Sequence, residues 1–263
     1  MKEKLQIIKI GGYIIDDEFL LIKFLENFAK IKGNKILIHG GGKTATGLCS
    51  QLNLDQHFVD GRRITDRDTL DVIVMVYAGT INKRIVVNLQ SNNCNAIGLS
   101  GADGNIIQAK KRSVKSIDYG FVGDISEDGI NSMTLEMFLK NDLCPVICPL
   151  THDGQGNLLN TNADTIAAQL AISMNQLYDV SLIYCFEKNG VLIDLSNENS
   201  LLSQLNYDNY LELKENKKIS SGMLPKLENA FHAYRYGVSK VNICHWKAVG
   251  MPCDLLMGTT ISA

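Results

Sequence analysis

Lys9 is the only charge in the apolar run LQIIKI (residues 5–10), and Gly11 and Gly12 follow it directly. A lysine inside a buried strand is costly unless it is paired or performs a task. The plainer alternative is a strand-edge lysine whose ammonium snorkels outward. A second glycine stretch, HGGGKT (residues 39–44), ends like a phosphate loop. The full loop requires G-x-x-x-x-G-K-[ST], and the position where its first glycine belongs is Leu37, inside the preceding apolar run. Gly40, Gly42 and Ala45 do satisfy G-x-G-x-x-A. A dinucleotide fold also needs an acidic residue about 20 positions on, at the end of a second core strand. Asp60 has the spacing, but HFVDG is no core strand. What survives is physical: glycines between a buried strand and a helix let backbone N–H groups approach a phosphate or carboxylate without a Cβ in the way. A turn needed only for close packing is the alternative.

Two further clusters bear on the same chemistry. Asn160, Asn162 and Asp164 in NTNAD fall after a turn and at the start of a helical pattern, where such side chains also serve as plain caps. Lys226, in SSGMLPKLENA, falls in the first turn of a helix, where the dipole disfavours a cation unless something anionic lies nearby.

The elements that position these residues alternate. Short β-branched runs and longer stretches of helical period point to a parallel sheet covered by helices. LQIIKI is read as strand, 17–32 as helix ended by Gly33, KILIH as strand and 43–53 as helix. DQHFVDGRRIT reads as a small hairpin, and a helix from about 66 to 90 opens at Thr65 or Asp66. Its middle, LDVIVMVYAG, is apolar on almost every face, which suits a subunit interface. Residues 95–125 read as short strands around a glycine turn, SMTLEMFLKN as helix and CPVICPL as strand. The helix that begins at Asn162 or Asp164 precedes VSLIYCFEKNGVLI, where the strand-type pattern repeats. After that come a helical region near 200–216, a helix after Pro225 closed by Gly237, the strand KVNIC and a short C-terminal strand. With no linker and no internal repeat, two lobes sharing one sheet are expected, 1–174 and 175–263.

Bulk properties exclude several classes. A net charge of −2 argues against a general nucleic-acid or membrane-surface binder and leaves small molecules as the better partners. Seven cysteines, odd in number and set in apolar runs, fit reduced thiols in the cytoplasm. The five histidines are scattered, no zinc-type spacing occurs and no structural metal is expected. No apolar run reaches the ~18 residues of a membrane span.

In order along the chain, IIKIGG, HGGGKTATG, DGRRITD, SGADG, GFVGDI, LLNTNADTIA, SSGMLPKL and MGTTI resemble the amino acid kinase family, and within it the branch that acts on N-acylated glutamate. The match covers nearly the whole chain. The resemblance implies a three-layer αβα sandwich with a mainly parallel central sheet, residues 1–174 holding the acylamino acid and the dimer contact, and residues 175–263 holding ATP. It implies transfer of the γ-phosphoryl group of ATP, bound with Mg²⁺, to the side-chain carboxylate, in arginine biosynthesis. Carried over by motif position, Lys9 and Lys226 would stabilise the transferring group, and Asp164 would hold both lysines. Gly41 and Gly42 would meet the acceptor, Arg63 and Asn160 its carboxylate and acylamino groups, with Asn162 supporting them. Gly11, Gly12, Glu187, Gly190, Gly222 and Lys226 would line the nucleotide path.

The chain departs from the family pattern in two places. Phe186-Glu187-Lys188-Asn189-Gly190 stands where the family usually has Ser/Thr-Asp-Val before a glycine, which changes the adenine and ribose contacts. Arg62 stands where an apolar residue is more usual. As a strand neighbour of Arg63 it should point to the opposite face, at the surface. Turned inward, it would admit a bulkier acyl group with its own charge, such as succinyl. The first strand starts by residue 5, without the N-terminal helix of arginine-regulated hexamers, so the resemblance implies an arginine-insensitive homodimer. The rivals are a kinase of another carboxylate, such as an aminoadipate derivative, and a non-catalytic sensor of the same fold.

Overall fold

A computed structural model describes the chain except for residues 60, 115, 195, 217, 220, 221 and 251–257. Asp60, Cys253, Met257 and the two serines of SSGMLPKL therefore lie outside the described residues. The chain begins with β1 (Lys4–Ile10), a single turn α1 (Gly12–Ile15), α2 (Glu18–Ala29), β2 (Asn34–His39) and α3 (Gly42–Gln51). Asp17 caps α2 by accepting from the backbone N–H of Leu20, and Gly33 leaves the helix at φ +81°.

The expected hairpin forms from β3 (Phe58–Val59) and β4 (Arg62–Arg63). The expected long helix is broken in character: α4 (Arg67–Val74), capped by Asp66 and not Thr65, runs into a π-helical stretch, Met75–Ile81, and then α5 (Asn82–Ser91). Such wide turns are rare and often occur at functional sites. Here the stretch carries Tyr77 and Ile81 against Gly41. A Cβ on Gly41 would collide with the Ile81 Cδ1 and approach the Tyr77 ring to 3.0 Å, and its φ of +155° with ψ 14° disfavours any other residue.

Next come β5 (Ala96–Leu99), β6 (Ile107–Lys111), β7 (Gly123–Ile130), α6 (Ser132–Lys140), β8 (Cys144–Ile147), β9 (Leu150–His152), β10 (Leu158–Asn160), α7 (Ala163–Met174) and β11 (Asp179–Phe186). The chain closes with β12 (Gln204–Leu205), α8 (Tyr207–Glu215), α9 (Leu224–Arg235), β13 (Lys240–His245) and β14 (Gly258–Ile261). The helical region expected over 200–216 is thus a short strand followed by one helix.

Eight strands form the central sheet in the order β12-β14-β13-β11-β1-β2-β8-β5, and only the β13–β14 pair is antiparallel. Strand alternation divides its core between two faces. Leu5 and Ile7 of β1 join Ile166, Leu170, Leu227 and Phe231 on the face under α7 and α9. Ile8 and Ile10 join Phe24, Leu25, Leu70 and Ile85 under α2, α4 and α5. This is the three-layer αβα arrangement, and it places Lys9, by the same alternation, on the α7–α9 side. A smaller sheet, β10-β9-β6-β7, packs against α7 through β7. The six described cysteines are buried and unpaired.

Candidate active site

Lys9 lies at the C-terminal end of β1, in register with Tyr184 of β11. It is 5% exposed, and its ammonium meets the Oδ1 of Asp164 at 2.7 Å. Asp164 occupies the first turn of α7, where a carboxylate is favoured by the dipole, and its backbone carbonyl accepts from the Tyr184 hydroxyl at 3.0 Å. Its Oδ2 accepts from Lys226 Nζ at 3.1 Å. Lys226 falls in the first turn of α9, so two helix starts converge on the end of β1, and Asp164 is the anion that the misplaced cation needed.

The electrostatics follow. Burial pushes the Lys9 ammonium down and nearby Lys226 adds to this, while Asp164 opposes both; the group ends at about 8. Burial raises the Asp164 carboxyl, yet the two ammonium groups more than offset that and hold it at about 2. Asp164 is therefore an anion clamped by two cations and cannot act as a base near neutral pH.

Lys9 and Asp164 line a cleft of about 590 Å³, and Lys226 reaches Asp164 beside it. Gly11, Gly12, Gly41, Gly42, Arg63, Asn160, Asn162 and Gly222 also line it, so the structure brings together most of the residues singled out in the sequence. Glu187 and Gly190 are not among them. They line a separate cavity of about 290 Å³ with Phe186, Val191, Leu192, Ile219 and Met223. The two spaces adjoin, since Gly222 borders one and Met223 the other. Lys43 opens α3 with its side chain exposed, away from the cleft lining.

At the other end of the cleft Arg63 is buried, stacked at 4.6 Å on the Phe58 ring, and donates to Gln56 Oε1, to the Gly42 carbonyl at 3.0 Å and to Thr46 Oγ1 at 2.8 Å. These bonds fix the guanidinium beside the glycine loop and leave further N–H groups of the fork free to donate. The Asn160 amide donates to Thr65 Oγ1 at 3.0 Å. Asn162 is the N-cap of α7, its Oδ1 accepting from the backbone N–H groups of Asp164 and Thr165. Its direct role is thus to set the first turn that carries Asp164. Arg62 is exposed while Arg63 is buried, as strand alternation requires, yet Arg62 still borders the cleft because β4 runs along its rim.

Sequence reasoning missed several contributors. His39, fully buried, is held close to neutral by burial, which lowers it to about 4; its Nδ1 lies 2.7 Å from the Gly40 carbonyl and its Nε2 lies 3.2 Å from the Asn82 amide. This pair anchors the glycine loop from below, and a histidine opening a glycine run was the available signal. Arg112 also lines the cleft. It sits in the charged run AKKR, which reads as an ordinary solvated strand end, so nothing local distinguished it.

Residues 4–245 match the sequence profile of the amino acid kinase family. Among curated relatives, acetylglutamate kinase of Cytophaga hutchinsonii is 52% identical over 92% of this chain and 91% of its own length. Acetylglutamate kinase of Bacteroides fragilis is 50% identical, covering 92% of each chain. Solved structures agree on the fold. N-acetylglutamate synthase from Neisseria gonorrhoeae, complexed with coenzyme A and N-acetyl-glutamate, superposes with a TM-score of 0.82 at 22% identity, covering 98% of this chain and 59% of that one. Carbamate kinase from Giardia lamblia bound to AMP-PNP gives 0.71 at 13% identity, covering 98% of both chains.

Proposed function

This chain belongs to the amino acid kinase family, and on that basis we propose that it transfers the γ-phosphoryl group of ATP to the side-chain carboxylate of N-acetyl-L-glutamate, in arginine biosynthesis. The observation that carries the reading is the Lys9–Asp164–Lys226 cluster, whose first two members are buried and line the same cleft as Arg63 and Asn160. A glutamate side chain, with a pKa of about 4.3, is already ionised at neutral pH and needs no general base to attack phosphorus. Positioning and charge stabilisation are then the main tasks. Lys9 and Lys226 carry one cation more than Asp164 neutralises, aimed where the equatorial oxygens of the transferring group gain charge. Arg63 takes the α-carboxylate through its free N–H groups, since its planar fork suits two oxygens, and Asn160 takes the acylamino group. Gly41 and Gly42 allow the acceptor close to the backbone.

The apolar cavity walled by Phe186, Val191, Leu192, Ile219 and Met223 suits an adenine ring, with Glu187 and Gly190 at its edge; since Met223 precedes α9, a nucleotide seated there would extend its phosphates toward Lys226. Among the described residues no three His, Cys, Asp or Glu side chains converge on a metal position, and the carboxylate of Asp164 is taken by two ammonium groups. In this reading Mg²⁺ would arrive with the nucleotide, where it would help neutralise the phosphate charge. No helix among the described residues is long and apolar enough to cross a membrane, and the reading places the chain in the cytoplasm with its ATP.

The reading includes a homodimer formed through the helical layer of residues 67–91. Met75 and Val87 are 54% and 62% exposed there, large apolar side chains left at the surface of this layer. Light scattering should return twice the chain mass, and Met75→Arg with Val87→Glu should halve it; a monomeric parent chain refutes this part. The activity itself is tested by a hydroxamate assay with ATP, Mg²⁺ and N-acetylglutamate, glutamate, aspartate or an aminoadipate derivative. Acyl phosphate from N-acetylglutamate is expected. Binding of acceptor and ATP by calorimetry without product would favour the non-catalytic rival.

A further inference from the structure

We propose that His39 is a positioning residue for phosphoryl transfer: together with Asn82 it locks the peptide between Gly40 and Gly41 so that the Gly41 N–H points into the cleft. The proposal rests on the acylglutamate kinase reading above and adds a residue to it. The first argument is where the ring carries its proton. The Gly40 carbonyl can only accept, so His39 Nδ1, 2.7 Å away, holds the hydrogen. Asn82 Nδ2 can only donate, so His39 Nε2, at 3.2 Å, is unprotonated. The orientation of that amide is fixed by its other partners: Nδ2 also donates to the Val146 carbonyl at 3.0 Å, and Oδ1 accepts from Lys83 Nζ at 3.3 Å. Reversed, the amide would set its oxygen against the Val146 carbonyl and its NH₂ against the Lys83 ammonium. Asn82 thus selects a neutral imidazole in the one tautomer that donates to Gly40.

The second argument is what that donation does to the loop. In a trans peptide the C=O and N–H point opposite ways, so drawing the Gly40 carbonyl onto His39 turns the Gly41 N–H away from the ring. Gly41 lines the cleft, and its N–H donates to no group among the described residues. The loop is also tied at its start, where the Gly40 N–H donates at 3.1 Å to the carbonyl of Ile10, the residue after Lys9. The free donor and the Lys9 ammonium are thereby held in one fixed relation. A donor aimed in advance needs no reorganisation when charge develops on the reacting oxygens, which is the condition under which it contributes most.

The third argument is the room made for Asn82. This side chain is buried at the start of α5, directly after the π-helical stretch whose Tyr77 and Ile81 pack on Gly41. On β5 it faces Gly98, where a Cβ would collide with Asn82 Oδ1 and approach Lys83 Nζ to 2.8 Å. Gly98 is not part of the cleft lining, so its missing side chain serves the amide and not a ligand. Packing alone would be met by an apolar residue at 82, without the cost of burying an amide. One helical segment therefore holds the glycine loop twice, by contact at Gly41 and by hydrogen bonds through His39.

Two substitutions separate positioning from stability, because each keeps one bond of the ring. The amide nitrogen of an asparagine falls near histidine Nδ1, and the amide of a glutamine near Nε2. His39→Asn therefore keeps the donation to Gly40, whereas His39→Gln keeps a partner for Asn82 and frees the Gly40 carbonyl. His39→Gln should lower kcat for acyl phosphate formation by about 10–10²-fold, short of the loss on outright removal of such a donor, with KM for N-acetylglutamate nearly unchanged. His39→Asn should recover most of that loss, although urea unfolding should show both variants destabilised to a similar extent. Nitrogen-15 spectra of the histidine-labelled parent should show His39 protonated on Nδ1 alone at neutral pH, and Gly98→Ala should admit the Nε2–H form and lower kcat. An Nε2–H tautomer in the parent, or equal kcat in the two His39 variants, overturns the proposal. With an active parent, either of those results leaves the kinase reading standing and removes only this role; a parent that makes no acyl phosphate removes both.

Discussion

Lys9→Ala and Lys226→Ala should each lower kcat for acyl phosphate formation by about 10²–10³-fold, the usual loss when one charge-stabilising group is removed from a phosphoryl- or acyl-transfer site. Both ammonium groups meet one carboxylate, so they act as a unit, and the double variant should lose much less than the product of the two single losses. Affinity for N-acetylglutamate should change far less, because the acceptor's binding is assigned to Arg63 and Asn160. The pH dependence gives an independent sign. In its proposed role Lys9 must carry its proton, and burial has brought it down to about 8. The kcat/KM profile should therefore fall as pH rises through about 8, and Lys9→Ala should lack that limb. In the ternary complex the phosphates add negative charge beside Lys9, so the limb in kcat should move to higher pH. Near parental turnover in both alanine variants refutes the roles assigned to them.

Asp164→Asn should cost about 3–5 kcal/mol of folding stability at pH 7, as well as activity, because it leaves a buried ammonium without its counterion. The asparagine has the same shape, so packing against α7 is unchanged and the loss is electrostatic. Adding Lys9→Met to it should restore most of the stability, since the uncompensated charge is then gone. Urea unfolding of the parent, both single variants and the double variant measures this; a strictly additive cycle would sink it. The acid side tests the same pair. Asp164 is held at about 2 against an ordinary 3.8, so its contribution is complete above 3.8 and disappears as pH falls toward 2. Parental stability should drop across that window, and the part due to Asp164 should be missing in Asp164→Asn.

The fold was largely legible because its signals are local. The β-branched run of β1, the stepping of Phe24 and Phe28 and the glycine at 33 each specify their element over a few residues. The anomalies were legible too: Lys9 in an apolar strand and Lys226 in a helix's first turn both conflict with local preference, and each pointed to a partner. That the partner is one residue, Asp164, depends on β1, α7 and α9 meeting, which no spacing in the sequence expresses. The π-helical stretch could not be read, since LDVIVMVYAG satisfies an ordinary helix equally well and only its packing on Gly41 distinguishes the two. Arg112 was hidden for a related reason: only the pairing of β6 with its neighbours brings the residue that follows it to the cleft.

The division of labour between the two sheets also bears on descent. The groups assigned to phosphorus sit on β1 of the central sheet and on the first turns of α7 and α9, whereas Arg63 and Asn160, assigned to the acceptor, come from the hairpin and the smaller sheet. Substitutions in the second set leave the first untouched. A lineage can therefore exchange one protecting group on glutamate for another in small viable steps, without passing through an ancestor that has lost the power to phosphorylate.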